Sequence, residues 1–233
     1  MLSVRDLHAY YGRAHILHGV SLDAAAGEVV ALLGRNGAGK STVLKAIMGL
    51  VPPATGEVSF AGRRVERLPT YRIARLGLGY VPEERRIFTD LTVAENLEVG
   101  RQAPRDGAPG WTEDRLFALF PNLAGLRERQ GGRMSGGEQQ MLTIARTLMG
   151  NPRCVLLDEP SEGLAPIIVE QMANSIRALK GEGLCVLLSE QNLHFSQAVA
   201  DRAYIIEKGQ IRFGGSMAEL AADTSLREQY LSV

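Results

Sequence analysis

The sequence predicts an α/β fold in which a mostly parallel sheet carries a helical insertion. Short apolar runs typical of strands buried on both faces alternate with helical patterns near both ends of the chain. These runs are Val29–Leu33, Cys154–Leu157, Leu184–Leu188 and Tyr204–Ile206. The stretch between the two ends is dominated by helical patterns. We therefore expect one domain over residues 1–233, with a core of about 1–85 and 151–233 and a helical subdomain of about 86–150.

The N-terminal part of the chain predicts strands of a different kind. Leu2–His8 and Val20–Leu22 have strand patterns, and Val58–Val65 contains a turn typical of a small hairpin. We expect these segments to form an antiparallel β subdomain. From Ser41 the period changes to that of a helix, which Gly49 and the prolines after it end.

The middle of the chain contains helix-start signals. Thr92 and Glu95 have the spacing of a capping box, and Thr112 is a second helix cap. Residues 102–110 contain two prolines and two glycines and predict a loop. An amphipathic helix is predicted to begin near Met141, with Ile144, Ala145 and Leu148 on its apolar face.

Composition excludes some classes of protein. The 26 basic residues equal the 26 acidic ones, so no overall positive field favours nucleic acid as the main partner. No apolar run reaches the roughly 20 residues that span a bilayer, and no secretory signal pattern opens the chain, which predicts a cytoplasmic protein. Cys154 and Cys185 lie in apolar runs and are expected to be buried hydrophobic residues.

The segment Gly34–Thr42 matches the glycine-rich loop that binds nucleotide phosphates. It follows a predicted buried strand and precedes a predicted helix, so a plain glycine-rich turn explains it less well. Backbone N–H groups would surround a phosphate, Lys40 would add a positive charge, and Ser41 would ligate Mg²⁺. The predicted phosphate-binding residues are Gly34, Asn36, Gly37, Ala38, Gly39, Lys40, Ser41 and Thr42.

Two acids follow the apolar run Cys154–Leu157. If that strand is parallel to the strand before the glycine-rich loop, the acids lie at the same sheet edge as the phosphates. Asp158 is then the expected Mg²⁺-side carboxylate, and Glu159 is the candidate base that orients or deprotonates an attacking water. Glu162 comes four residues after Asp158 and is expected to be solvated, without a catalytic role.

A third motif, Ser135-Gly136-Gly137-Glu138, precedes the predicted amphipathic helix. Such a stretch is a common loop on its own, but at a helix N-terminus it also suits anion binding. With all three motifs in this order, the sequence resembles the ATP-binding subunits of ATP-binding cassette (ABC) transporters along nearly its whole length.

The resemblance implies a RecA-like P-loop core and a head-to-tail pair of subunits. In such a pair the signature residues Ser135, Gly136, Gly137 and Glu138 close on the ATP held by the other subunit. Tyr11 falls where the family places an aromatic ring that stacks on adenine, although a core aromatic is the alternative. The implied cofactors are ATP and Mg²⁺.

Three positions depart from the family pattern. Glu83 replaces a glutamine that ligates Mg²⁺, Gln191 replaces a histidine that contacts the γ-phosphate, and Ala165 replaces an aspartate. Glu83 retains an oxygen ligand, and Gln191 can donate a hydrogen bond to phosphate but cannot carry a proton charge near neutral pH. His194 is a candidate substitute for the missing histidine.

These same departures resemble one branch of the family, the shorter ATPase of branched-chain amino-acid importers, with urea and amide importers as relatives. The resemblance implies transmembrane permeases, a second ATPase subunit of the same or another kind, and, indirectly, a periplasmic solute-binding protein. It places the chain on the cytoplasmic side of the membrane. Glu84–Phe88 would form part of a permease groove or, alternatively, a solvated loop. A cassette acting on DNA or ribosomes and a non-hydrolysing cassette are the other hypotheses.

Overall fold

The computed structural model describes residues 1–231, which form two sheets and ten α-helices. The strands are β1 (Leu2–Tyr11), β2 (Ala14–Ala24), β3 (Val29–Leu33), β4 (Thr55–Phe60), β5 (Arg63–Arg64), β6 (Leu78–Val81), β7 (Cys154–Asp158), β8 (Cys185–Glu190), β9 (Arg202–Glu207) and β10 (Gln210–Ser216). The helices are α1 (Lys40–Ile47), α2 (Thr70–Arg75), α3 (Val93–Gly100), α4 (Glu113–Leu119), α5 (Pro121–Ala124), α6 (Gly136–Met149), α7 (Pro166–Gly181), α8 (Leu193–Val199), α9 (Met217–Ala222) and α10 (Thr224–Tyr230).

The larger sheet confirms the predicted parallel architecture. Its strand order is β10-β9-β3-β8-β7-β6, and every neighbouring pair is parallel except β9 with β10. All residues of β3, β7 and β8 are buried, as expected of central strands covered on both faces. The carboxyl ends of β3, β8, β7 and β6 therefore lie side by side at one edge.

The smaller sheet confirms the predicted antiparallel β subdomain. Its strand order is β2-β1-β4-β5, with antiparallel pairing throughout. The predicted hairpin corresponds to β4 and β5, which are joined at Ala61 and Gly62, both with positive φ. Gly49, with φ +68°, follows α1 as predicted.

Alternating residues of β3 face two apolar clusters. Val29, Ala31 and Leu33 pack with residues of α3 to α8, whereas Val30 and Leu32 pack with α1 and the smaller sheet. This period of two is what a strand between two layers requires. Cys154 and Cys185 are buried free thiols opposite each other on β7 and β8, which confirms their prediction as small hydrophobic residues.

Helices α3 to α6 occupy the chain between β6 and β7. Thr92 caps α3 in a capping box and Thr112 caps α4, as predicted. The predicted start of α6 near Met141 is wrong, because the helix begins at Gly136. Ser135 and Glu138 form a capping box there, which satisfies N–H groups of the first turn and makes the two glycines tolerable. Among the described residues, no helix combines the length and apolarity needed to cross a membrane.

Candidate functional site

The glycine-rich loop connects β3 to α1 at the edge where the parallel strands end. Gly37 and Gly39 have φ of +77° and +111°, in the left-handed region that favours glycine. A Cβ on Gly34 would lie 2.4 Å from the carbonyl oxygen of Ile206, so this position also requires glycine. Gly39 precedes α1 and offers no side-chain cap. The first N–H groups of α1 are thus free of a side-chain acceptor and suit an anion.

Lys40 is buried, at 3% exposure, and its ammonium group lies inside the loop. Its Nζ donates hydrogen bonds to the carbonyl oxygens of Gly34 at 2.8 Å and Arg35 at 3.1 Å. It also forms an ion pair with Glu159 Oε1 at 3.0 Å. Both partners of the pair are buried, so each compensates the charge that the other brings out of water.

Asp158 ends β7 and accepts hydrogen bonds from three hydroxyl groups. Ser41 Oγ lies 2.9 Å and Ser189 Oγ 2.7 Å from its Oδ1, and Tyr80 OH lies 3.0 Å from its Oδ2. Asp158 is 1% exposed, and these donors supply the hydrogen bonds that a buried polar group requires. Burial and the charge of Asp158 raise the pKa of Tyr80, so the phenol remains a donor.

Glu159 follows Asp158 with φ +47°, an unusual conformation for a residue with a side chain. Its backbone N–H donates to the carbonyl oxygen and to Oγ of Ser189, each at 3.1 Å. Its carboxylate accepts a hydrogen bond from Gln191 Nε2 at 2.9 Å, opposite the bond to Lys40. Lys40 and Gln191 therefore each contact one oxygen of the Glu159 carboxylate.

Glu162 is exposed, as expected, and its backbone N–H donates a hydrogen bond to the carbonyl oxygen of Glu159 at 3.2 Å. Burial and the neighbouring charge of Glu159 raise the pKa of Glu162. Glu83, which is exposed just after β6, adds to this acidic surrounding. The negative charges of Glu159 and Glu83 therefore both act on Glu162.

The signature residues lie at the start of α6. Ser135 accepts a hydrogen bond from the N–H of Glu138, and the Glu138 carboxylate accepts one from the N–H of Ser135. A Cβ on Gly136 would lie 2.5 Å from the guanidinium of Arg85, and one on Gly137 would lie 2.9 Å from Ile168. Packing against Ile168 disfavours a larger residue at position 137, whereas the flexible end of Arg85 could move away from a side chain at position 136.

Two further predicted residues lie at the protein surface. Tyr11 ends β1 and is 48% exposed, so the alternative of a core aromatic is wrong. Its ring is accessible to a flat ligand. His194 is exposed on α8, and the part of the chain that the structure describes gives it no hydrogen bond to the acids.

Sequence reasoning missed Tyr80, Ser189 and Glu190. Glu190 is 2% exposed, and its carboxylate accepts hydrogen bonds from the backbone N–H groups of Ser161 and Asn192. Ser189 and Glu190 could have been found from one feature of the sequence. They are polar residues that directly follow an apolar run, as Asp158 and Glu159 do. Without the strand order, nothing in the sequence brings β8 next to Asp158.

The residues at this edge fit a nucleotide with a divalent cation. Ser41 and Asp158 offer a hydroxyl and a carboxylate 2.9 Å apart, which are the hard oxygen ligands that Mg²⁺ prefers. The uncapped N-terminus of α1 and the turned glycines suit phosphate. A parallel sheet that runs through such a loop into a helix defines a P-loop nucleotide-binding protein.

Comparison with known proteins defines the class more closely. The family model described as ABC transporter matches residues 17–162, from β2 past Glu159. The chain therefore belongs to the ABC transporter family and is an ATP-hydrolysing subunit of a transporter.

Individual relatives cover the chain from end to end. It is 43% identical over 231 residues to the high-affinity branched-chain amino acid transport ATP-binding protein BraG of Pseudomonas aeruginosa, spanning 99% of both chains. It is 36% identical over 232 residues to the lipopolysaccharide export system ATP-binding protein LptB of Escherichia coli K12, spanning 99% of this chain and 96% of that one. Among solved structures, the fold superposes on MJ1267, an ATP-binding cassette of an ABC transporter in its ADP conformation, with a TM-score of 0.82. The two sequences are 27% identical, and the match covers 98% of this chain and 97% of the other.

Proposed function

We propose that the chain is the ATP-hydrolysing subunit of an importer of branched-chain amino acids. The observation that carries this proposal is the 43% identity to BraG over 99% of both chains, against 36% to LptB. Glu83, Gln191 and Ala165 support it, because the resemblance associates these departures with that branch of the family. Urea and amide importers are its nearest alternatives.

In this proposal, the loop Gly34–Thr42 binds the phosphates of ATP. Ser41 and Asp158 would hold Mg²⁺, and Glu83 would contribute a further oxygen ligand. When bound, the cation would supply positive charge to the phosphates. The ammonium group of Lys40 lies inside the loop, where it donates to the carbonyl oxygens of Gly34 and Arg35. When the loop binds phosphate, Lys40 donates to phosphate oxygens instead.

Glu159 acts as the base that orients and deprotonates the attacking water. Gln191 holds one of its carboxylate oxygens at 2.9 Å, which fixes the direction of the other. Tyr11 stacks on the adenine ring. Ser135, Gly136, Gly137 and Glu138 act in trans on the ATP of a second ATPase subunit, from the start of α6, where Ser135 is exposed and the other three are half-buried.

The partners of the chain follow from a groove beside β6. This groove has a volume of about 620 Å³, and its lining includes Tyr71, Phe88 and Val99, three large apolar side chains that are exposed. We propose that it receives a permease segment, which places the chain on the cytoplasmic side of the membrane. Residues 86–150 would then be a helical subdomain that carries part of this groove within a single domain of residues 1–233.

Uptake by reconstituted vesicles tests the proposal. The chain is assembled with permeases, a second ATPase and a solute-binding protein of a branched-chain amino-acid importer, and uptake of labelled leucine is measured with and without ATP. We expect ATP-dependent uptake of leucine that excess unlabelled valine suppresses. The variant Val99→Asp should lose co-purification with the permeases, because it places a charge in an apolar contact, whereas Ala221→Asp, at an exposed position of α9, should retain it.

Measuring the uptake of other solutes distinguishes the proposed importer from the alternative transporters. ATP-dependent uptake of urea or acetamide but not leucine would move the chain to that branch. Assembly with lipid-export permeases and no uptake of any of these solutes would refute the proposal and favour a role like that of LptB.

A further inference from the structure

Asp158 receives hydroxyl groups from both strands that flank β7. Ser189 on β8 lies opposite Asp158 in register and donates to Oδ1 at 2.7 Å. Tyr80 on β6 lies on the other side and donates to Oδ2 at 3.0 Å. Each carboxylate oxygen is therefore held by a neighbouring strand, independently of Ser41 in α1.

This arrangement fixes both the rotation and the acceptor capacity of the carboxylate. A carboxylate has about four lone-pair positions, and the hydroxyls of Ser41, Ser189 and Tyr80 occupy three of them. About one position remains for a further partner.

Ser189 has a second contact that Tyr80 lacks. Its Oγ accepts the N–H of Glu159 at 3.1 Å while donating to Asp158, so one fully buried hydroxyl connects both acids. Glu159 has φ +47°, a conformation that persists only where surrounding contacts hold it. The hydroxyl of Ser189 is one of those contacts.

We propose that Ser189 and Tyr80 are positioning residues that orient Asp158 toward the metal side of the nucleotide, and that Ser189 also fixes the backbone of Glu159. The inference rests on the proposed Mg-ATP site and adds two residues to it. Outer partners of a metal-binding carboxylate typically change metal affinity or activity about 10–100-fold when they are lost. Ser189 and Tyr80 are expected to fall in that range.

The test measures binding of AMP-PNP to the full chain by calorimetry, once with Mg²⁺ and once with EDTA. We expect Ser189→Ala and Tyr80→Phe to weaken binding about tenfold or more with Mg²⁺ and to leave binding in EDTA unchanged. Ser189→Thr, which keeps the hydroxyl, should restore most of the loss. The double variant should lose less than the product of the single losses, because both residues act through Asp158.

Matched controls remove buried hydroxyls elsewhere. Ser175 donates to the carbonyl oxygen of Gln171 within α7, and Tyr204 on β9 donates to Asp23 on β2 of the smaller sheet. Ser175→Ala and Tyr204→Phe should bind AMP-PNP like the unmodified chain in both conditions. Tyr80→Phe removes a single oxygen, so it keeps the test decisive even if Ser189→Ala unfolds.

Two results would overturn the inference. One is unchanged Mg²⁺-dependent binding in Tyr80→Phe and in a folded Ser189→Ala. The other is an equal loss with Mg²⁺ and with EDTA, which would make both residues structural only. Failure of the unmodified chain to bind AMP-PNP with Mg²⁺ would instead refute the proposed function.

Discussion

Asp158 and Glu159 are adjacent buried acids that are stabilised in different ways. Neutral hydroxyl groups surround Asp158, whereas Glu159 pairs with the ammonium of Lys40 and the amide of Gln191. The difference suits their proposed roles, because a metal ligand needs a fixed carboxylate and a base needs a partner that can move away. Lys40 is such a partner once phosphate competes for it.

Gln191 should matter for hydrolysis and His194 should not. Hydrogen bonds to charged groups contribute about 1.5–3 kcal/mol. Since about 1.4 kcal/mol corresponds to tenfold in rate, Gln191→Ala should slow ATP hydrolysis at least about tenfold. His194→Ala is the matched control, because His194 is exposed three residues further on. Steady-state phosphate release by the assembled transporter measures both, and a larger loss in His194→Ala would reverse the assignment.

The sequence alone predicts those functional residues whose types and spacing form a recognisable motif. Lys40, Ser41, Asp158 and Glu159 were found because loop, strand and acids occur in a specific order. Ser189 and Tyr80 were not, since a serine and a tyrosine at strand ends have many ordinary roles. Their contact with Asp158 depends on the order β8-β7-β6, which a single sequence does not contain.

Among the elements, α6 depends most visibly on its first turn. Ser135 and Glu138 form a capping box, and Ser216 and Glu219 form an equivalent one at α9. The predicted start of α6 at Met141 was wrong because apolar periodicity begins only after the capped turn. Glycines at the first helical positions hid the start further, although the capping-box spacing was present in the sequence.

The two capping boxes provide a matched test of the signature. Ser135→Ala and Ser216→Ala should each lower the free energy of unfolding by about 1 kcal/mol, because each leaves an N–H group of the first turn without its acceptor. Chemical denaturation measures that loss. Only Ser135→Ala should also slow ATP hydrolysis by the assembled transporter. Equal rates in the two variants would exclude a role for Ser135 beyond capping.

For the whole molecule, alternation of strand and helix patterns predicted the parallel sheet, and the strand and hairpin patterns of the N-terminal part predicted the antiparallel subdomain. The position of β6 at the edge and the short helix α2 were missed, because Leu78–Val81 and Thr70–Arg75 are short and mixed in polarity. Long-range order decides the site, since β3, β8, β7 and β6 are distant in sequence and adjacent in space. The glycine-rich loop, the two acids and Gln191 lie together because the strands that carry them are neighbours in the sheet.

The proposed mechanism requires a second ATPase subunit in addition to this chain. Glu159 is held in place within one chain, whereas the start of α6 is available to the ATP of another. Hydrolysis should therefore be slow for the chain alone and faster in the assembled transporter. A single substitution in that assembly separates binding from chemistry.

The most direct measurement is phosphate release by the assembled transporter with Glu159→Gln. The amide retains the size of the side chain and cannot accept a proton as a base. We predict hydrolysis slower by about 10²–10⁴-fold, with ATP affinity close to that of the unmodified chain. An unchanged rate of phosphate release would contradict the assignment of Glu159 and with it the account of this site.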